Sequence, residues 1–528
     1  MESIWLIIII TLSLCATLKA LFNLLQTPKK CPPGPVSIPI LTSFQWLKKS
    51  SADLEPSLRN LKTKYGPIIT LSIGHRKSIF ITTSSLAHQA LVQKGSVFAD
   101  RPPATAISKI ITSNQHNING ASYGPLWRLL RRNLTLQILH PSKIKSFSPA
   151  RIWVLNIIKE RIIKESKSGE TPVLVVHHFQ FGMFCLLVFM CFGEKLDEKK
   201  IREIESVQRN LILRFSRFQI LNFFPRLSKI VFKKKWEEFY KLRSDQEKVL
   251  IPLIRSRQEE QMKKMMKSSE ENHDEKSLGL CYVDSLLNLE LPDEEGGKRK
   301  LSENEIVSLC SEFLNGGTDT TSTTLQWVMA NLVKYQEIQS KLFHEIKKIE
   351  QSRSEDSNDG EIQEEDLKKL PYLRSVVLEG LRRHPPGHFL LAHAVTQDVV
   401  LDGYVIPKEA TVNVMIAEIG RDPKVWEDPM MFKPERFLNE EDGSVNEELA
   451  DVTGNKEVKM IPFGAGRRMC PAYGLAMLHL EYFVANFIKE FKWTAKVGDE
   501  IDLSEKQEFT IVMKNPLWAH VSPRKQED

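Results

Sequence analysis

Residues 462–471 read Pro462-Phe463-Gly464-Ala465-Gly466-Arg467-Arg468-Met469-Cys470-Pro471, and an apolar helical run follows from Ala472 to Phe491. A lone cysteine therefore stands at a helix start. Pro471 suits the first helical position, where a missing N–H costs nothing. That places the Cys470 sulfur against the positive end of the helix dipole, among free backbone N–H groups, which stabilise a thiolate and lower the thiol pKa. Gly464 and Gly466 allow the positive φ angles that turn the loop amides toward the sulfur. The chemistry implied is an anionic sulfur ligand held out of water, or a nucleophile. A free buried cysteine would account for neither the two glycines nor Arg467 and Arg468. A nucleophilic cysteine wants a histidine base, and nothing in the sequence nominates one. His479 follows at no zinc-finger spacing. Gly464-x-Gly466 lacks the third glycine of a dinucleotide-binding turn.

Upstream, the helical period over 302–333 opens with Ser302-x-x-Glu305, a capping box in which hydroxyl and carboxylate satisfy orphan backbone donors. Gly316-Gly317 inside this helix costs roughly 1 kcal/mol per glycine relative to alanine, so the pair needs a reason. Either something approaches the backbone here, beside the hydroxyls and carboxylate of Thr318-Asp319-Thr320-Thr321, or the glycines are a packing notch for another helix. This segment alone leaves both readings open.

Phe463-x-x-Gly466-x-Arg468-x-Cys470 resembles the haem-binding signature of cytochromes P450. Other motifs of that family fall in the expected order. Glu379-x-x-Arg382 resembles the ExxR of the K helix, and Pro434-Glu435-Arg436-Phe437 resembles the PERF segment whose arginine completes the triad Glu379–Arg382–Arg436. Gly316 to Thr321 is similar to the oxygen-binding groove of the I helix, Trp127-x-x-x-Arg131 to the C-helix motif, and Pro32-Pro33-Gly34-Pro35 to the hinge. The run from Cys470 to Tyr482 looks most like plant microsomal P450s of the A type (71 clan), family eighty-nine. One departure stands out: Ala472 occupies a position where the family usually has glycine, and its methyl is expected to crowd the haem face.

The resemblance implies a mainly α fold with small β-sheets, a triangular helical body holding haem between the I and L helices. It covers essentially the whole chain. The expected organisation is an N-terminal transmembrane anchor over 1–26, a Pro-rich linker over 27–40 and one catalytic domain over 41–528. The anchor is also read from the residues. Apolar character runs from Ser3 to Leu25, interrupted only by Lys19, and Lys29 and Lys30 follow, so the positive-inside rule leaves the body cytosolic. A cleaved signal peptide would want a basic n-region and a small-x-small site, and neither is present. The apolar run Phe179 to Phe192 is too short for a second span and reads as a buried core helix. Pro67 to Ile81 alternates around Gly74-His75 as a hairpin, and Val399 to Ile416 is a second strand-rich patch. Helical period fills 205–222, 232–267, 302–348 and 372–383, while charged stretches at 257–276, 291–300 and 350–366 read as helix ends and surface loops.

Composition agrees with an enzyme of this kind. In 528 residues, 73 Lys plus Arg against 66 Asp plus Glu give a formal charge of +7, too mixed for a dedicated nucleic-acid binder. Seven scattered cysteines without a CxxC pair argue against a disulfide-stapled fold.

By resemblance, Cys470 is the axial ligand of the iron of haem b, a thiolate that favours dioxygen cleavage. Phe463, Gly466, Arg468, Trp127 and Arg131 belong to the haem site, the arginines facing its propionates. Thr320 holds the water that delivers protons and Asp319 relays them. The expected activity is a monooxygenase inserting one oxygen atom of O2 into a small, largely apolar plant secondary metabolite or lipid-like substrate. With no nicotinamide or flavin motif in the chain, electrons are expected from NADPH through NADPH–cytochrome P450 reductase, docking near Arg128 and Arg132, at the endoplasmic reticulum membrane. Ile107, Phe313, Gly316, Phe389, Leu390, Phe509 and Ile511 are the expected pocket residues, and His388 is a candidate to orient a polar substrate group. The competing readings are an O2-independent isomerase or dehydratase of the same fold, which Thr320 argues against, and a non-catalytic haem-binding scaffold, motivated by Ala472.

Overall fold

The computed structural model describes Thr11, 31–35, Trp46, 51–73, 76–268, 281–292, 297–353, 360–496 and 498–524. The expected anchor over 1–26 and most of the linker over 27–40 lie outside the described residues.

The hairpin read at 67–81 forms as β1 (Ile68–Ile73) and β2 (Arg76–Ile81), antiparallel with Ile69 opposite Phe80. It follows α1 (Ser51–Tyr65). β2 then pairs in parallel with β4 (Thr411–Val414), which pairs with the short β3 (His393–Ala394). The Pro-rich hinge lies on this sheet: the Thr70 N–H donates to the Pro33 carbonyl at 2.8 Å, and a Cβ on Gly34 would meet the Thr70 oxygen at 1.9 Å. Glycine is required there by close approach.

The helical body contains α2 (Pro125–Gln137), α3 (Ser148–Ser166), α4 (Val175–Phe192), α5 (Glu198–Arg214), α6 (Pro225–Val231), α7 (Lys233–Ser268), α8 (Glu303–Lys334), α9 (Gln336–Gln351), α10 (Pro371–Arg383) and α11 (Tyr473–Glu490). α4 is apolar and long enough to cross a bilayer, but it is packed inside the body, as the sequence reading required. Its Phe179 stacks on Phe487 of α11 with centroids 5.1 Å apart, and α8 lies against its other side. α8 begins with the expected capping box at Ser302 and Glu305. The long helical period over 302–348 divides at Tyr335 into α8 and α9. The helix expected over 205–222 ends at Arg214 and continues as a 3-10 turn, and the charged stretch 291–300, expected as loop, contributes strands Glu290–Pro292 and Lys298–Lys300. Near the C-terminus, β5 (Glu505–Gln507) and β6 (Ile511–Met513) form a hairpin whose tip is Glu508–Thr510.

Candidate active site

The cysteine loop runs from the sheet edge into α11. Gly464 and Gly466 have φ of 73° and 68°, and the Cys470 N–H closes the loop onto the Phe463 carbonyl at 2.8 Å. α11 begins two residues later than expected: Ala472 is its cap and Pro471 precedes it. The dipole argument changes accordingly. Burial pushes the Cys470 thiol above its ordinary value, and the Ala472 N–H and the Arg131 charge offset this only in part. Cys470 on its own therefore favours the neutral thiol, and a thiolate there would require coordination to a cation, which deprotonates a thiol outright. Ala472 has φ −102° and ψ 20°, a backbone that alanine adopts without strain.

Basic side chains converge on the loop. Arg131 Nη2 donates to the Met469 carbonyl at 2.7 Å. Arg468 donates to the carbonyls of Ala99, Ile118 and Ala121 at 2.7, 3.1 and 2.6 Å, with its guanidinium 4.5 Å from the buried Trp127 ring. Arg101, which the motif reading missed, binds the carbonyls of Asn119, Leu391 and Ala392. Burial pushes its guanidinium down to about 9, and the Arg468 charge adds to the effect.

The two glycines of α8 differ in their surroundings. A Cβ on Gly317 would come 2.7 Å from Leu187 of α4, so Gly317 is the packing notch. Gly316 has nothing within 4 Å of where its Cβ would sit, and it is exposed midway along a largely buried helix. Thr320, one turn on, shares that face and donates from Oγ1 to the Gly316 carbonyl at 2.7 Å. Asp319 turns aside to accept from Arg209 of α5, Nη1 to Oδ1 at 2.6 Å. Burial raises the Asp319 carboxyl; Arg209 lowers it in part.

Glu379 and Arg382 of α10 pair through two bonds at 2.7 and 2.9 Å with both side chains fully buried, and Arg436 Nε reaches Glu379 at 3.1 Å. Arg382 also donates to the carbonyls of Gly420 and Pro429, which fixes the segment leading to the cysteine loop.

The expected pocket residues separate. Gly316, Phe313 and Leu390 are partly or fully accessible, and Phe509 is 52% exposed at the hairpin tip. Ile107 is fully buried against Phe218 and Trp236, and Ile511 is buried with its carbonyl accepting from Trp327. These two supply no cavity surface in this conformation. Phe389 packs edge-on to Phe80. His388 is buried between Glu55 and Glu505 rather than solvated, with Nε2 3.3 Å from Glu505, so its partners are carboxylates of the fold. Leu391, next to Leu390, is 60% exposed.

The residues fit a planar, iron-bearing macrocycle with acidic side arms. A single sulfur, an open helix face at Gly316 and two arginines with a tryptophan on one side are the donor set and cradle such a group needs.

Comparison with known proteins supports this reading. The family model for Cytochrome P450 matches residues 32–520. The chain is 49% identical over 524 residues to Cytochrome P450 89A9 of Arabidopsis thaliana, covering 98% of each chain. It is 30% identical to 5-epiaristolochene 1,3-dihydroxylase of Nicotiana tabacum (94% of this chain, 93% of that protein) and 29% identical to costunolide synthase of Cichorium intybus (93% of each). A solved zebra fish cytochrome P450 with progesterone superposes with a TM-score of 0.70 at 21% identity, over 89% of this chain and 99% of that one.

Proposed function

The chain belongs to the cytochrome P450 family, with haem as cofactor and monooxygenation as activity, and from that premise we propose that it oxygenates a small, largely apolar plant secondary metabolite or lipid-like compound. Electrons come from NADPH through a P450 reductase, and an N-terminal anchor holds the body on the cytosolic face of the endoplasmic reticulum. The observation that carries the reading is the positive-φ loop that ends at Cys470, with an α8 whose backbone is open at Gly316 and bears Thr320 one turn on.

Cys470 Sγ would ligate the iron, and Arg131, Arg468 and Trp127 would hold the propionate side. When bound, haem supplies dioxygen activation. The chain supplies protons: Thr320 Oγ1, which donates to the Gly316 carbonyl, can exchange that acceptor for a water, and Asp319 stands beside it as the next proton carrier. Phe313, Leu390, Leu391 and Phe509 are apolar side chains left partly or largely accessible, and they would supply the apolar contacts to such a substrate. The names of the tobacco and chicory relatives, a dihydroxylase of 5-epiaristolochene and a costunolide synthase, favour an apolar natural product as substrate class.

Membrane seating is supported by a second surface. Phe224 and Ile230 are each 78% exposed, with Val231 and Leu227 beside them, and Arg226, Lys229 and Lys233 to Lys235 flank the patch. Apolar side chains ringed by cations suit an anionic bilayer surface. Reductase docking is supported by Arg128 and Arg132, exposed one turn apart on α2, with Arg467 adjacent through Tyr123.

The test is the carbon monoxide difference spectrum of the reduced protein in microsomes, followed by NADPH consumption with reductase over a terpenoid and fatty-acid panel. A red-shifted Soret band with substrate-dependent consumption is expected. Cys470→Ser should lose that band, and its retention would sink the ligand assignment.

A further inference from the structure

Arg209 and Asp319 form an ion pair that the family motifs do not contain. α5 crosses α8 so that Gln208 accepts from Ser311 at 2.8 Å and from Asn315 at 3.3 Å, which places the next residue, Arg209, over Asp319. The pair lies between α5 and α8, and the charge of Glu508 at the β5–β6 tip is felt at Asp319. Asp319 is one residue from Thr320 and one turn from the open backbone at Gly316.

The pair is a poor device for stability. Arginine carries a fork of five donors, yet among the described residues only Nη1 of Arg209 makes a hydrogen bond, to a single carboxylate oxygen, with Glu205 near enough to feel its charge but not bonded to it. The Arg209 side chain is 29% exposed, where a one-pronged pair contributes little. The unused part of the fork is the part that matches a second carboxylate in a two-bond geometry.

We propose that Arg209 is a specificity-determining residue that binds an acidic group, a carboxylate, on an otherwise apolar substrate, leaving Asp319 to do so. This rests on the monooxygenase reading. Arrival of the substrate acid exchanges a single-oxygen contact for a forked one. Asp319, already raised by burial, then loses the charge that holds it ionised and is free to carry a proton beside Thr320. Substrate occupancy and proton delivery are coupled through one arginine.

The experiment is spectral titration of the full-length holoprotein in nanodiscs, reading the Soret shift on binding, with laurate against methyl laurate and indole-3-acetate against its amide. In the wild type, at least one acid should bind about tenfold more tightly than its neutral partner, the scale of one charge-assisted fork. R209Q should erase that ratio, R209K should keep part of it, and D319N, which removes the competing carboxylate, should tighten the acid severalfold. Equal binding of acid and neutral partner in the wild type, no response to either acid, or an unchanged ratio in R209Q would each overturn the proposal. The reduced carbon monoxide band is recorded on every sample. Its absence in the wild type would instead count against the monooxygenase reading, and its presence in R209Q shows that the variant is folded and loaded.

Discussion

Gly466 lies against Leu91 so closely that a Cβ on the glycine would stand 1.9 Å from the Leu91 carbonyl oxygen. The obstacle is backbone, which cannot rotate away, and Gly466 also has φ 68°, where a side chain costs on the order of 1 to 2 kcal/mol. Gly466→Ala should therefore displace the cysteine loop from the segment carrying Leu91. The expected outcome is soluble or membrane-integrated protein with a haem-to-protein ratio well below that of the wild type; full loading would refute the steric argument.

The Glu379–Arg382 pair supports a second prediction. Both side chains are fully buried and Arg436 closes the group. Removing one member of a buried charge cluster leaves the others unpaired, at a cost of about 3 to 5 kcal/mol. Arg382→Ala should thus lower the thermal midpoint sharply and abolish haem loading, even though Arg382 touches no ligating atom. A variant that kept the wild-type midpoint would mean that the pair is not what holds the segment before the cysteine loop.

These two sites show how unevenly the molecule was legible. The cysteine loop, the α8 glycines and Glu379 to Arg382 are local strings, and each carries its chemistry within a few residues. Helix type and position followed from apolar period, so α4, α7 and α10 formed close to where they were read. Boundaries were misread where caps decide them: Pro471 looked like a first helical residue, but the chain enters α11 only at Tyr473. Tertiary partners were not legible. Nothing near Arg209 in the sequence points to Asp319, and nothing near His388 points to Glu55 or Glu505, because those pairings are made by packing of distant elements. Ile107 failed as a lining residue for the same reason, since its cluster comes from Phe218, Trp236 and Phe239.

Thr320 gives the third prediction. Its hydroxyl occupies the Gly316 carbonyl and faces the open side of α8. Thr320→Ala should retain haem and the reduced carbon monoxide band while product formed per NADPH falls by on the order of tenfold or more, with the electrons recovered as hydrogen peroxide. Thr320→Ser should restore most of the coupling. Unchanged coupling in the alanine variant would remove Thr320 from proton delivery.

The buried histidine His388 predicts a pH dependence of stability. Its ring faces Glu55 of α1 and Glu505 of β5, and the same cluster contains Arg59 of α1, Glu418, Arg421, and Arg383 and His384 at the end of α10. Burial alone would lower His388, but its hydrogen bonds to Glu505 and Glu55 outweigh this and its pKa stands above the ordinary 6.5. Burial likewise opposes ionisation of Glu505, and the contacts from His384, His388 and Arg421 drive its carboxyl far below the usual range, so it stays charged throughout. The native state therefore binds the His388 proton more tightly than the unfolded chain. The stabilisation is fully present below about pH 6.5 and is lost as pH rises through the raised value. The gap in thermal midpoint between the wild type and His388→Gln should narrow from pH 6 toward pH 9, the variant being less stable at pH 6 by on the order of 1 to 3 kcal/mol. His384, driven down to about 3 by burial, is neutral in the native state but takes up a proton in the unfolded chain near pH 6, so it contributes a slope of opposite sign there and the His388 contribution is read as the difference between wild type and variant. A variant whose midpoint ran parallel to that of the wild type across this interval would place the titrating group elsewhere.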